Sequence, residues 1–218
     1  MTQCFFSFTE TRNRCYRSMF AGSGLRSTVT DLKDGTVMHC WEPKARAESK
    51  PSLLLIHGLG ANALWQWGDL IRHVAPHYNV YVPDLVFFGG SYTARPERGE
   101  RFQAECVARV MEAKGVRRVS FSGAELWRVC WVLHGSDGGG WWLWWRERDV
   151  KEGLFPVMDL DEAANILVPR TPERLRELVG YTFFKPPPLW WLPSCFLLDF
   201  IEHVFELQFK ACQTENTF

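Results

Sequence analysis

A glycine-hinged loop after an apolar run is the segment of this sequence best suited to do chemistry. Residues 53–56 are Leu-Leu-Leu-Ile, and His57-Gly58-Leu59-Gly60 follow directly. This pattern is typical of a buried strand that enters a loop whose backbone N–H groups can stabilise an oxyanion. Glycine is suited to such a loop because it lets the backbone come close to a substrate. The alternative is that these residues only turn the chain from a strand into a helix.

Alternating strand and helix patterns surround this loop. The pair Asp34-Gly35 between two β-prone runs, 25–32 and 36–41, predicts an antiparallel hairpin. Apolar runs at 52–56, 80–82 and 116–121 predict strands, and amphipathic spacing at 63–73 and 102–114 predicts the helices between them. Strands that alternate with helices indicate an α/β fold with a mostly parallel sheet and right-handed crossovers.

The second half of the chain has a different composition, with short helical patterns, prolines and aromatic residues. Thr171-Pro172 is a favourable helix start, the prolines at 186–188 end that helix, and residues 196–209 predict another. We interpret residues 148–207 as a helical lid that carries the aromatic residues Phe183, Phe184, Trp190 and Trp191. The predicted organisation is an N-terminal segment 1–24, an incomplete core 25–147, the lid 148–207 and an irregular tail 208–218.

Charge and cysteine content exclude several classes of function. Lys plus Arg and Asp plus Glu both number 25, so no net charge attracts nucleic acid or an anionic membrane. The seven cysteines are scattered without a C-x-x-C pair, which argues against a metal site and favours reduced thiols in the cytoplasm. The apolar stretch 189–209 contains Asp199, Glu202 and Glu206 and is therefore not a membrane span. No cofactor is expected, and no partner is identified beyond a small apolar or ester ligand.

Three motifs in order resemble the α/β-hydrolase superfamily: His57-Gly58-Leu59-Gly60, then Trp65 and Trp67, then the octapeptide DLVFFGGS at 84–91. More narrowly, they are similar to a plant-type group of lipase-like or esterase-like hydrolases that carry D-L-x-x-F-G-x-S after the third strand. The resemblance covers about residues 25–121 and 148–199. It implies a partial α/β-hydrolase fold and hydrolysis of carboxylic esters by a serine enzyme. It also implies that the N–H of Leu59 serves as an oxyanion donor and that Asp84 supports the loop without taking part in catalysis.

The nucleophile that this resemblance requires is missing from the sequence. A G-x-S-x-G turn should follow the strand at 116–121, but Ser122 has no glycine two residues before it. Ser136 lies in a glycine-rich run more typical of a surface turn, and His203 lies in a lid helix although the family's base follows a last strand. The later Asp and His of the triad are not found before Phe218. We therefore expect a truncated, catalytically impaired form, a pseudoenzyme with no catalytic residue assigned.

The tryptophan-rich stretch at 127–145 offers a cause for this loss. The codons for residues 125–137, read one base downstream, can encode Ser-Tyr-Gly-Gly followed by residues that would form a helix. The codons just before them can encode Gly-Leu in the same frame, so the shifted frame contains G-L-S-Y-G-G. Sequencing the transcript across this region tests the frame-shift hypothesis. Three interpretations stay open: an ester hydrolase, a non-enzymatic protein of the same fold that binds an apolar ligand or a partner, and a frame-altered product without a settled function.

Overall fold

The computed structural model describes residues 7–58, 61–97, 99–123, 130–133, 141–144, 169–182 and 189–213. The chain divides into two compact units. Residues 15–145 form a sheet-bearing unit, and residues 1–14 together with 146–218 form a helical unit. The boundary between them falls inside the first helix.

The first helix, α1 (Phe8–Gly22), was not predicted from the sequence. The hydroxyl of Ser7 accepts a hydrogen bond of 3.0 Å from the N–H of Glu10, so Ser7 caps the helix. The spacing S-x-x-E at residues 7–10 was the signal that could have found it. One turn apart in the sheet-bearing unit, Tyr16 and Phe20 are both buried, which fixes this end of α1 on the core.

The sheet confirms the predicted α/β fold class. Its strands are β1 (Leu25–Asp31), β2 (Thr36–Pro43), β3 (Ser52–Ile56), β4 (Asn79–Pro83), β5 (Tyr92–Thr93) and β6 (Ser120–Gly123). They lie in the order β1-β2-β4-β3-β6, with the short β5 also paired to β2. The β1–β2 hairpin and the β2–β4 pair are antiparallel, whereas β3 pairs in parallel with both β4 and β6. The carboxyl ends of the three parallel strands therefore meet at one edge.

Two helices cover opposite faces of the sheet, as the alternation predicted. Helix α2 (Ala63–Val74) packs with α1 on one face, where Leu53 and Leu55 are buried. Helix α3 (Glu100–Ala113) packs on the other face, where Leu54 and Ile56 are buried. Consecutive residues of β3 thus enter different cores, because side chains alternate across a strand.

The strand expected at 116–121 begins later, at Ser120. Val116 instead completes the end of α3, since its N–H donates to the carbonyl of Met111 at 3.0 Å while the N–H of Gly115 donates to Glu112 at 2.8 Å. Gly115 has φ +66°, the left-handed conformation that this C-terminal motif requires. Val116 and Met111 are both buried in one core cluster. Val116, which the sequence assigns to a strand, therefore belongs to the motif that ends helix α3.

A second, two-stranded sheet lies in the tryptophan-rich stretch. Strands β7 (Cys130–Leu133) and β8 (Trp141–Trp144) pair antiparallel, with Cys130 opposite Trp144. The sequence pattern predicts no strand in this stretch. Among the described strands, β6 is the last on its side of the main sheet.

The helical unit contains α4 (Pro172–Thr182), a short 3-10 turn (Leu189–Trp191) and α5 (Ser194–Gln213). The hydroxyl of Thr171 accepts a weak bond from the N–H of Arg174 at 3.4 Å, which fits the predicted helix start. Helix α5 continues to Gln213 and so enters the segment expected to be irregular, because no proline or glycine interrupts it there. Within this unit the N–H of Thr9 donates to Asp199 at 2.9 Å.

Candidate active site

His57 lies at the carboxyl end of β3, and its side chain is completely buried. Its Nε2 accepts a hydrogen bond of 2.9 Å from the N–H of Leu85, so the proton of the neutral ring lies on Nδ1 and donates to the carbonyl of Gly58 at 2.9 Å. Burial lowers the pKa of His57 and outweighs the opposing effects of Asp84 and of the Gly58 carbonyl. Because both ring nitrogens are engaged, His57 ties the β3 loop to the β4 loop and is not placed to act as a general base.

The loop expected to bind an oxyanion is only partly described. The N–H of Gly58 donates to Oε1 of Gln66 on α2 at 2.8 Å, so this donor is already used. Leu59 and Gly60 lie outside the described residues, and the role of the Leu59 N–H stays a prediction. Asn62 caps α2 by accepting from the N–H of Trp65 at 3.0 Å, which fixes where the loop ends and the helix begins.

Asp84 is the buried centre of the loop after β4. Its Oδ1 accepts from the N–H of Ala63 at 2.8 Å, and its Oδ2 accepts from Nδ1 of His39 at 2.7 Å and from the N–H of Gly90 at 3.2 Å. Burial alone raises the pKa of Asp84, but the hydrogen bond from His39 and the further favourable charges and bonds outweigh it and keep the pKa below its ordinary value. The ionised carboxylate therefore holds β2, the start of α2 and its own loop together.

Gly89 permits this arrangement because no side chain fits there. It has φ +52°, and a Cβ on its backbone would lie 2.0 Å from Oδ2 of Asp84. The hydroxyl of Ser91 donates to the carbonyl of Asp84 at 2.8 Å and accepts from the N–H of His39 at 2.9 Å. Asp84, Gly89 and Ser91, all from the motif DLVFFGGS, thus serve one hydrogen-bonded loop.

Gln103 on α3 holds the same loop from the other side. Its Oε1 accepts from the N–H of Val86 at 2.8 Å, and its Nε2 donates to the carbonyl of Val86 at 3.0 Å. Both backbone groups are buried and would have no partner without this side chain. Sequence reasoning missed His39, Gln66 and Gln103, because a polar residue on a strand or helix face carries no local signal of a distant partner.

The residues considered as nucleophile or base are not brought together within the described part of the chain. Ser122 lies on β6 opposite Leu55 of β3, and Ser136 lies outside the described residues. His203 belongs to the helical unit, where its Nδ1 donates to the carbonyl of Asp199 one turn earlier at 2.8 Å. Of the predicted lid aromatics, Trp190 and Trp191 are 70% and 79% exposed, and residues 183–188 are not described.

The described segments contain no group of three His, Cys, Asp or Glu side chains able to hold a metal ion. None of their helices is both long enough and apolar enough to span a membrane. The described free thiols include Cys40, whose pKa burial raises to about 12, so it is not a reactive thiolate at neutral pH.

Known proteins of one fold match this geometry. A family model described as the alpha/beta hydrolase fold matches residues 51–123. A bacterial membrane phospholipase A, a virulence factor, is 25% identical with a TM-score of 0.61, over 94% of this chain and 66% of its own. A lipase candidate from Acinetobacter baumannii AYE is 24% identical with a TM-score of 0.47, over 57% of this chain and 40% of its own.

An epoxide hydrolase candidate from Pseudomonas aeruginosa is 22% identical with a TM-score of 0.40, over 46% of this chain and 33% of its own. This chain thus spans less than two thirds of the length of each of these relatives. No curated protein matches it significantly in sequence. The strand order, the family model over residues 51–123 and the likeness to the phospholipase agree on an α/β-hydrolase fold.

Proposed function

We propose that this chain is an ester-hydrolase relative, of the plant-type lipase-like or esterase-like group, whose family active site is impaired. The observation that carries the proposal is the buried network in which His57 and Asp84 fix the loops after β3 and β4. Such a network holds in place the loop in which an acyl-transfer enzyme of this fold carries its backbone oxyanion donors. The phospholipase relative supports carboxylic esters of lipids as the substrate class of the ancestor.

The impairment is proposed from the sequence next to β6. A serine hydrolase of this fold carries its nucleophile on a G-x-S-x-G turn directly after that strand, and the residues that follow Ser122 are Gly-Ala-Glu-Leu-Trp. Removing the nucleophile of a triad forfeits most of the rate enhancement even when the oxyanion donors remain. The proposed form therefore keeps the scaffold of the site without its reacting group.

Covalent labelling of the full chain tests this proposal. The protein is incubated with a fluorophosphonate probe, the labelled residue is mapped by peptide mass spectrometry, and turnover of a p-nitrophenyl ester is measured in parallel. We expect no label on Ser122 or Ser136 and no turnover near the 1–10³ s⁻¹ that is roughly typical of enzymes. A label on either serine together with rapid turnover would show an intact family site and contradict the proposal.

A second candidate function is binding of an apolar ligand without catalysis. It is favoured by the exposed pair Trp190 and Trp191, since large exposed apolar side chains often mark a binding surface. A fatty acid that raises the melting temperature of the wild type, but not that of a Trp190→Ser/Trp191→Ser variant, would support this function. An equal shift in both proteins would place the ligand elsewhere.

A further inference from the structure

Ser27, His39 and Asp84 form a continuous hydrogen-bonded line in the sheet-bearing unit. The hydroxyl of Ser27 lies 2.8 Å from Nε2 of His39, and Nδ1 of His39 lies 2.7 Å from Oδ2 of Asp84. The three residues come from β1, β2 and the loop after β4. The hairpin register explains the first contact, because Val29 is opposite His39 and Ser27 is its diagonal neighbour on the same face.

The charge of Asp84 decides where the protons lie. An ionised carboxylate only accepts hydrogen bonds, so Nδ1 of His39 carries a proton and donates it to Asp84. In the neutral ring the lone pair is then on Nε2, and the hydroxyl of Ser27 donates to it. This order of serine, imidazole and carboxylate is the one in which histidine acts as a general base on a serine nucleophile.

Solvent exposure of the side chains falls from Ser27 to His39 to Asp84, so the nucleophile is the most accessible of the three. Ser27 is exposed to solvent, whereas the side chain of His39 is 14% exposed and that of Asp84 is 6% exposed. His39 is also fixed through its backbone, because its N–H donates to Ser91 at 2.9 Å and its carbonyl accepts from the N–H of Asp84 at 3.0 Å. The base is therefore held rigidly while the serine stays accessible to a reagent.

We propose that Ser27 is an activated nucleophile that accepts an acyl group from activated carboxylic esters, such as aryl esters, at a site separate from the one expected after β6. Oγ of Ser27 attacks the ester carbonyl carbon as its proton passes to Nε2 of His39. The bond from that carbon to the leaving oxygen then breaks, and the leaving alcohol or phenol takes the proton from His39. Water, activated by the same histidine, hydrolyses the serine ester and regenerates Ser27.

The assignment gives the three residues different roles. Ser27 and His39 contact the reacting atoms and are the catalytic residues of this reaction. Asp84 is a positioning residue, because it fixes the ring of His39 and stabilises the imidazolium that forms. Its own substitution is a poor test, since Asp84 also accepts the N–H groups of Ala63 and Gly90.

Mapped labelling of the full chain tests the proposal. The protein is treated with a fluorophosphonate probe and with p-nitrophenyl acetate, and the release of p-nitrophenol is followed alongside peptide mapping. Ser27→Ala should abolish the label and the release above background, whereas Ser49→Ala, at an exposed turn serine, should leave both unchanged within about twofold. His39→Gln should lower the acylation rate constant by about 10²–10⁴-fold, the usual contribution of general base catalysis. Melting curves of the three variants check that each one is folded.

The outcomes separate this site from the family site. A label on Ser27 that depends on His39 supports the proposal, whatever happens at Ser122. A wild-type chain without label on Ser27, or a label that persists unchanged in His39→Gln, overturns it. A label on Ser122 or Ser136 and none on Ser27 overturns both this inference and the proposed impairment.

Discussion

Replacing Gly89 by alanine should break the loop that Asp84 organises. Two costs combine at this position. The φ of +52° is left-handed, which costs an L-residue about 1–2 kcal/mol. The added Cβ would also lie 2.0 Å from Oδ2 of Asp84, so the carboxylate must move away from its partners His39 and Gly90. Losing one hydrogen bond to a charged group costs about 1.5–3 kcal/mol, which gives a total of about 2.5–5 kcal/mol.

Two other glycines separate these costs. Gly115 has φ +66° with no atom within 4 Å of an added Cβ, so Gly115→Ala should lose only the conformational part, about 1–2 kcal/mol. Gly22 has neither a positive φ nor a nearby atom, and Gly22→Ala should change stability by less than about 0.5 kcal/mol.

The assay is urea unfolding of the full chain and the three variants, followed by tryptophan fluorescence. The expected order of destabilisation is Gly89→Ala, then Gly115→Ala, then Gly22→Ala. If Gly89→Ala loses no more than Gly115→Ala, the contact with Asp84 does not constrain this loop, and the argument for a rigid Asp84 centre is wrong.

Three further substitutions test other contacts of the sheet-bearing unit. Asp84→Asn should be less stable than the wild type at pH 7. Because the pKa of Asp84 is lowered in the folded state, the stability difference measured by unfolding should shrink as the pH falls through 3.8 and below. A stability difference that stays constant with pH would contradict an ionised Asp84. Gln103→Met should lower the free energy of unfolding, measured in urea, by about 2–4 kcal/mol, since it leaves the buried N–H and C=O of Val86 unpaired. A loss below about 1 kcal/mol would mean that another group replaces the amide of Gln103. Gly68→Ala should destabilise the protein by about 1–3 kcal/mol, because the added Cβ would lie 2.2 Å from the ring of Tyr16. In a double-mutant cycle, Gly68→Ala should cost little in the Tyr16→Ala background, since the clashing ring is gone. Additive losses would show that α1 does not pack there.

Much of the fold follows from local patterns. Asp34-Gly35 between β-prone runs predicted the first hairpin, and the apolar run before His57 predicted β3, because turn conformation and side-chain alternation depend on residues close in sequence. The same logic failed at Val116, where an apolar residue belongs to a helix stop. It also overlooked α1, whose capping pattern begins at Ser7.

The candidate site was located only in outline by the sequence. The loops at His57 and Asp84 could be recognised as motifs, since each is a continuous stretch of the chain. The partner of Asp84 could not, because His39 is 45 positions away and lies on a strand whose pattern only predicts pleating. The contact between Ser27 and His39 similarly depends on hairpin register.

The sequence by itself therefore determined the alternation of β1, β2, β3, α2, β4 and α3 along the chain and the two loops at the carboxyl edge of the sheet. Only the tertiary structure decided which polar groups meet there: His57 with Leu85, Gln103 with Val86, and Asp84 with His39. The physical reason is range. Backbone propensity and hydrophobic periodicity act over a few neighbouring residues, whereas a buried hydrogen bond depends on where packing brings distant segments together.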